Sequence, residues 1–144
     1  MNRKLEIVVD PDSPRIVMRR VFDAPRSLVF DAFNKPELVT RWKTPKQFEV
    51  KDCAIDLRVG GTWSVTYRMP NGADLGFHGE FSEVVTPERV VRTFCMQGKP
   101  GKMMTETFIF EESSGGTLVT TIHEYESVEA RDAAAANAAC GSME

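Results

Sequence analysis

His78 and His123 are the only histidines among the 144 residues, the one side-chain type whose ordinary pKa lies near neutral pH. Each falls in an alternating, strand-like segment with carboxylates near it: Glu80 beside His78, Glu124 beside His123, and Glu106 one segment earlier. A histidine paired with one of these could move protons; the plainer alternative is a strand histidine with its hydrogen bonds satisfied. A metal site would need more ligands, and neither Cys-x-x-Cys nor His-x-x-x-His occurs, so no metal is expected. No Ser-His-Asp order or paired-carboxylate motif stands out, so no catalytic residue and no cofactor are assigned. Gly60-Gly61 lacks the further glycines, the lysine and the following helix of a phosphate loop and reads as a bend or bulge.

Arg92 is the most informative cation, because its period-two neighbours Val90, Phe94 and Met96 are all apolar. Its guanidinium could recognise a carboxylate or phenolate, or it could lay its stem on the sheet and keep its head in water. Trp42, Trp63, Tyr67, Phe81, Phe94 and Phe108 supply large rigid apolar area, either as pocket walls or as plain core packing. With Arg92 and His123 they form the candidate ligand-binding set. Met96, Met103 and Met104 could add an adaptable rim, or be exposed loop methionines without a role.

The elements that must position these residues follow from caps and periodicity. Asp23 or Ala24 is expected to cap a helix with Pro25 in its first turn and Val29, Phe30, Ala32 and Phe33 on one face. Asn34 is the expected N-cap of a second, very short helix, with Pro36 in the first turn, Glu37 closing a capping box, and Leu38 and Trp42 four residues apart. Helices this short are not stable alone and must dock on a sheet. Strand patterns cover 15–21, 47–57, 62–69, 75–85, 89–97, 103–111 and 117–125, separated by turn signals such as Pro70-Asn71-Gly72. Sequential hairpins make an antiparallel meander, and the helices between the first and second strands make a crossover, so the class is α+β. Trp63, Val65 and Tyr67 share one face, matched across the Asn71-Gly72 turn by Phe77, Gly79 and Phe81. Ser127 is expected to cap an alanine-rich last helix with Gly141 as its C′ residue; its lack of large apolar side chains leaves it unable to cover an aromatic sheet face.

Length gives one domain over residues 1–144, large enough to bury a substantial core. A net charge of −3 with scattered Lys and Arg provides no basic field for nucleic acid or anionic lipid. The N-terminal apolar run is too short for a signal peptide, and nothing approaches a membrane span, so a cytoplasmic protein is expected. Cys53, Cys95 and Cys140, odd in number and far apart, read as reduced thiols.

Several of these motifs occur together in a known order. Phe22-Asp23-Ala24-Pro25, Asn34-Lys35-Pro36-Glu37 with Arg41-Trp42, Asp56-Leu57-Arg58-Val59-Gly60-Gly61-Thr62-Trp63, Thr86-Pro87-Glu88-Arg89, Gly116-Thr117-Leu118 and Ser127-Val128-Glu129-Ala130-Arg131-Asp132-Ala133 resemble one family. These are the bacterial proteins named after the activator of the heat-shock-protein-90 ATPase, in the START and birch-allergen-like helix-grip superfamily. The resemblance runs from about Arg15 to the end of the sequence. It implies a helix-grip fold: a curved antiparallel sheet of six to seven strands, two short helices after the first strand, and a long C-terminal helix over an apolar cavity. Residues 141–144 fall at the first turn of that long helix, so it is expected to be truncated here, or supplied by another chain.

The function implied is non-catalytic binding of a hydrophobic small molecule, aromatic, polyketide-like or lipid-like. The alternatives are a protein-partner or chaperone-associated module and, third, a cyclase- or hydratase-type enzyme. The expected partner is a hydrophobic small molecule or a protein, with the chain a monomer or homodimer.

Overall fold

The structure, a computed structural model, describes residues 6–9, 12–44, 46–98 and 101–137, apart from the side chains of residues 43 and 133–137. In chain order the elements are β1 (Glu6–Val9), β2 (Arg15–Phe22), α1 (Arg26–Asn34), α2 (Pro36–Lys43), β3 (Glu49–Ile55), β4 (Thr62–Arg68), β5 (Asp74–Val85), β6 (Arg89–Met96), β7 (Met104–Ser113), β8 (Gly116–Glu124) and α3 (Val128–Asn137). The strands form one antiparallel sheet ordered β1-β2-β8-β7-β6-β5-β4-β3. β3 to β8 are the expected meander, and α1 and α2 carry the chain from β2 near one edge to β3 at the other. The fold is the α+β helix-grip class.

The sheet has eight strands among the described residues, because β1 extends it beyond β2. Ile7, Val8 and Val9 are all exposed. A four-residue strand that buries neither face has no alternation to reveal it.

Capping departs from expectation at both helix starts. Pro25 itself is the N-cap of α1, with no side-chain cap bond, and the Leu28 and Val29 amides donate to its carbonyl. Lys35, not Asn34, is the N-cap of α2, and no capping box forms. The Asn34 amide nitrogen instead donates to the Phe30 carbonyl at 2.8 Å, so this side chain finishes α1. A proline at the first position of α2 already supplies the helical φ and lacks one unpaired N–H, which lessens the need for a cap. At α3 the expected cap is present: Ser127 Oγ accepts from the Ala130 amide at 3.1 Å. Gly141 and Cys140 lie outside the described residues.

Beneath α1 the core is aromatic and closed. Phe33 meets Phe22, Trp42, Phe108 and Phe110 edge-on at centroid distances of 5.8, 4.8, 5.3 and 5.3 Å. These are favourable quadrupolar arrangements in addition to apolar burial. Thr117, fully buried, donates from its hydroxyl to the Ala24 carbonyl at 2.8 Å and pins the start of β8 to the β2–α1 junction.

Local chemistry also explains the hairpins. Gly72 takes φ 86° in the turn between β4 and β5, while Asn71 Oδ1 accepts from the Ala73 amide at 2.9 Å. Gly60 and Gly61 form the expected bend: the Gly60 amide donates to the Phe81 carbonyl, and the Phe81 amide to the Gly61 carbonyl, each at 2.9 Å.

Candidate functional site

Strand register lines up one row of inward side chains across the sheet. Phe81 pairs with Arg92, Arg92 with Glu106, Glu106 with His123, and His123 with Ile16, taking in β5, β6, β7, β8 and β2. Alternation sets the face and the turns set the register, so three ionisable side chains meet in one row on a largely apolar face.

Their geometry is that of a connected charge cluster. Arg92 Nε and Nη2 both donate to Glu106 Oε1, at 2.8 and 2.7 Å. His123 Nε2 lies 2.8 Å from the other oxygen, Oε2. Arg92 is 8 % exposed and Glu106 3 %. A carboxylate held by arginine accepts hydrogen bonds only, which keeps a proton on His123 Nε2 and fixes the ring's orientation. The guanidinium carbon sits 3.9 Å from the Trp63 ring centroid and 5.2 Å from that of Phe108. Cation–π attraction is strengthened by this loss of water.

Trp63 can lie flat because its cross-strand partner is Gly79. A Cβ there would strike the Thr93 carbonyl and stand 2.5 Å from Trp63 Nε1. The indole N–H donates to that same carbonyl at 3.0 Å, leaving the ring face for Arg92.

From Trp63 a line of aromatic rings runs outward: Phe94 at 5.2 Å, Phe77 at 5.0 Å from Phe94, and Tyr67 at 6.5 Å from Phe77. Phe94, Phe77 and Tyr67 are half-buried, unlike the sealed rings beneath α1. Burial pushes the Tyr67 hydroxyl up, the neighbouring Cys53 pushes it further, and Arg92 pulls it back. The Cys53 thiol is raised by burial and then by Asp52, again opposed by Arg92. The field of the guanidinium therefore reaches the aromatic wall. On the other side of the cluster burial raises the Tyr125 hydroxyl, and the negative charge of Glu106 adds to the effect.

The structure thus gathers Trp63, Arg92, Phe94, Phe108 and His123, with Tyr67 joined through Phe77. Arg92 is not a surface cation with its head in water: it is buried and paired. Phe81 and Phe108, 1 % and 0 % exposed, sit in the sealed core rather than on an open wall. Trp42 stands apart, its indole N–H donating to the Ala32 carbonyl at 2.8 Å and its ring on Phe22 and Phe33. The space beneath the helices there, bounded by Met18, Arg20, Phe22, Phe33 and Trp42, is ≈ 10 Å³, room for about one water. His78 and Glu80 are exposed, and Glu124 pairs with Arg15 at 3.7 Å, so Glu106 is the carboxylate that reaches His123. Met104 is buried and belongs to the core.

Two members escape a reading of single strands. Phe77 shares the face of the binding set without belonging to it by sequence; the Asn71-Gly72 turn, which sets it opposite Val65, is the signal for it. Cys53 lies opposite Val65 on the other side, on β3. Among the described residues no group of three or more His, Cys, Asp or Glu is placed to hold a metal ion.

A family model described as Activator of Hsp90 ATPase homolog 1-like protein matches residues 23–143. The chain belongs to this family. Among solved structures, this activator-homolog-like chain is similar to a protein from Rhodobacter sphaeroides, with a TM-score of 0.89 at 24% identity over 97% of this chain and 91% of that one. An AHSA1-like protein from Aeromonas hydrophila gives 0.71 at 23% identity, over 88% and 85%. An Hsp90 activator from Plasmodium falciparum gives 0.61 at 21%, over 78% and 74%. At these identities the likeness is one of fold. No curated protein matches the chain. No helix among the described residues is long and apolar enough to cross a membrane.

Proposed function

We propose that this member of the activator-homolog-like family binds a hydrophobic aromatic small molecule on the concave face, along Phe94, Phe77 and Tyr67, with Trp63 behind them. The family fits either a small-molecule-binding module or an Hsp90-associated one. The carrying observation is the contrast between two halves of one face. Beneath α1 and α2 the rings are sealed, whereas the line from Phe94 to Tyr67 stays half-buried beside a desolvated ion pair. A planar ligand covering roughly 300 Å² there gains about 7 kcal/mol gross at about 25 cal/mol per Å². Loss of ligand freedom removes several kcal/mol of this, and a remainder of about 3–4 kcal/mol corresponds to affinity on the order of millimolar.

The test is an NMR titration of amide resonances with 2-naphthol. Shifts should concentrate on β4, β5 and β6, and Phe77→Glu should abolish them while the thermal melt stays cooperative. Shifts confined to the β7–β8 turn, or none at all, would remove the reading.

The Glu106–His123 contact favours a second reading, in which the same site moves a proton on an enolisable aryl ketone. Catalysed deuterium exchange at the carbon beside such a carbonyl, lost in His123→Gln, would establish it; exchange at the buffer rate would exclude it. The Hsp90 reading draws on the family's name and on the Plasmodium protein. Stimulation of Hsp90 ATPase by the purified chain decides it.

A further inference from the structure

The Arg92 guanidinium directs only part of its hydrogen-bonding capacity at Glu106. Nε and Nη2 converge on a single carboxylate oxygen, while Nη1 has no acceptor among the described residues. Nη1 is not sealed either, for among the described residues the one sealed side-chain nitrogen or oxygen without a partner is Arg20 Nε. An arginine has five N–H donors in a rigid plane, so Arg92 keeps the Nη1 donors uncommitted on a charged side chain that is nine-tenths buried.

The cluster is also polarised. Glu106 divides its two oxygens between Arg92 and His123, so the carboxylate lies on the β7–β8 side of the guanidinium. The acidities of Tyr67 and Cys53 respond to Arg92 as to a positive neighbour, and that of Tyr125 responds to Glu106 as to a negative one. Positive potential, unused N–H donors and a line of half-buried rings therefore coincide. The Trp63 N–H, committed to Thr93, does not compete for a ligand.

We propose that the ligand is an aromatic acid, whose carboxylate or phenolate oxygen accepts from Arg92 Nη1 while its rings lie along the half-buried Phe94 and Phe77. This rests on the concave-face binding proposed above and specifies its ligand class. A hydrogen bond with charge on both partners is roughly twice as strong as a neutral one. Exclusion of water by the rings strengthens it further. The Tyr67 ring stands on the same wall and carries a second donor, its hydroxyl, whose pKa burial raises.

The experiment compares two probes with the same rings, 2-naphthoate and 2-naphthalenemethanol, by calorimetric titration of the full chain at pH 7.5. The acid should bind at least tenfold more tightly than the alcohol. In Arg92→Lys, which keeps the charge and loses the planar guanidinium, that preference should fall to within threefold. Tyr67→Phe, which removes no member of the buried ion pair, should weaken the acid about threefold and narrow its preference over the alcohol, which covers the case of an Arg92 variant that does not fold. An alcohol that binds wild type as tightly as the acid overturns the aromatic-acid assignment but leaves concave-face binding standing. A folded Arg92→Lys protein with its preference intact also overturns it. Binding of neither probe removes both.

Discussion

The Arg92–Glu106 pair sets the behaviour of single residues in this chain. Removing one member of a buried ion pair strands the other without solvent, which typically costs 3–5 kcal/mol, whereas replacing both with apolar groups is often neutral. Arg92→Met should therefore lower stability by about 3 kcal/mol in urea unfolding, and Arg92→Met/Glu106→Leu should recover most of it. A double variant no more stable than the single one would show that the pair is not acting as a buried unit. Cys53 offers a second test. Its thiol pKa is raised, so less thiolate is present at any given pH near neutrality. Alkylation of Cys53 at pH 7.5 should run slower than that of an unstructured peptide thiol, and approach it in urea, as read by peptide mass mapping. Periodicity alone placed Arg92 on an apolar face but could not show its partner. Glu106 lies across a turn, and a register slip of one residue would have put it on the opposite face. The charge state of the site was therefore less legible than its aromatic content.

Among the elements, the β4–β5 hairpin and α1 carry the most consequence. Gly79→Ala should push the Trp63 indole off Thr93 and out from under Arg92. Overpacking of this kind costs about 1–3 kcal/mol. Tryptophan emission should shift to the red as Trp63 gains contact with water, and an unchanged spectrum would mean that the strands separate instead. Phe33→Ala removes the ring shared by four aromatic partners and should cost about 3–5 kcal/mol by thermal or urea unfolding. The meander and the inward faces were legible because Asn71-Gly72 and the alternation of Trp63, Val65 and Tyr67 impose the same register. The helix caps were less so. Asn34 can bond forward as a cap or backward to Phe30, and only its place at the end of α1 decides between them. β1 left no pattern at all, since all four of its residues face water.

At the scale of the whole molecule, two aromatic regions share one sheet face but do different work. The group around Phe33 closes the core, and the half-buried rings Phe94, Phe77 and Tyr67 are the surface proposed for a guest. Composition revealed the number of rings, but dividing them into closed and open sets required knowing where α1 lies. The join between β2 and β8 has a further consequence. Thr117 and Ala24 are bonded across 93 positions of sequence. As the nascent chain leaves the ribosome, β2 and the first helix emerge long before the strand that completes their side of the sheet. Phe22, Phe30 and Phe33 must wait for it uncovered, so newly made protein passes through an interval of exposed aromatic surface in which protection from self-association matters most.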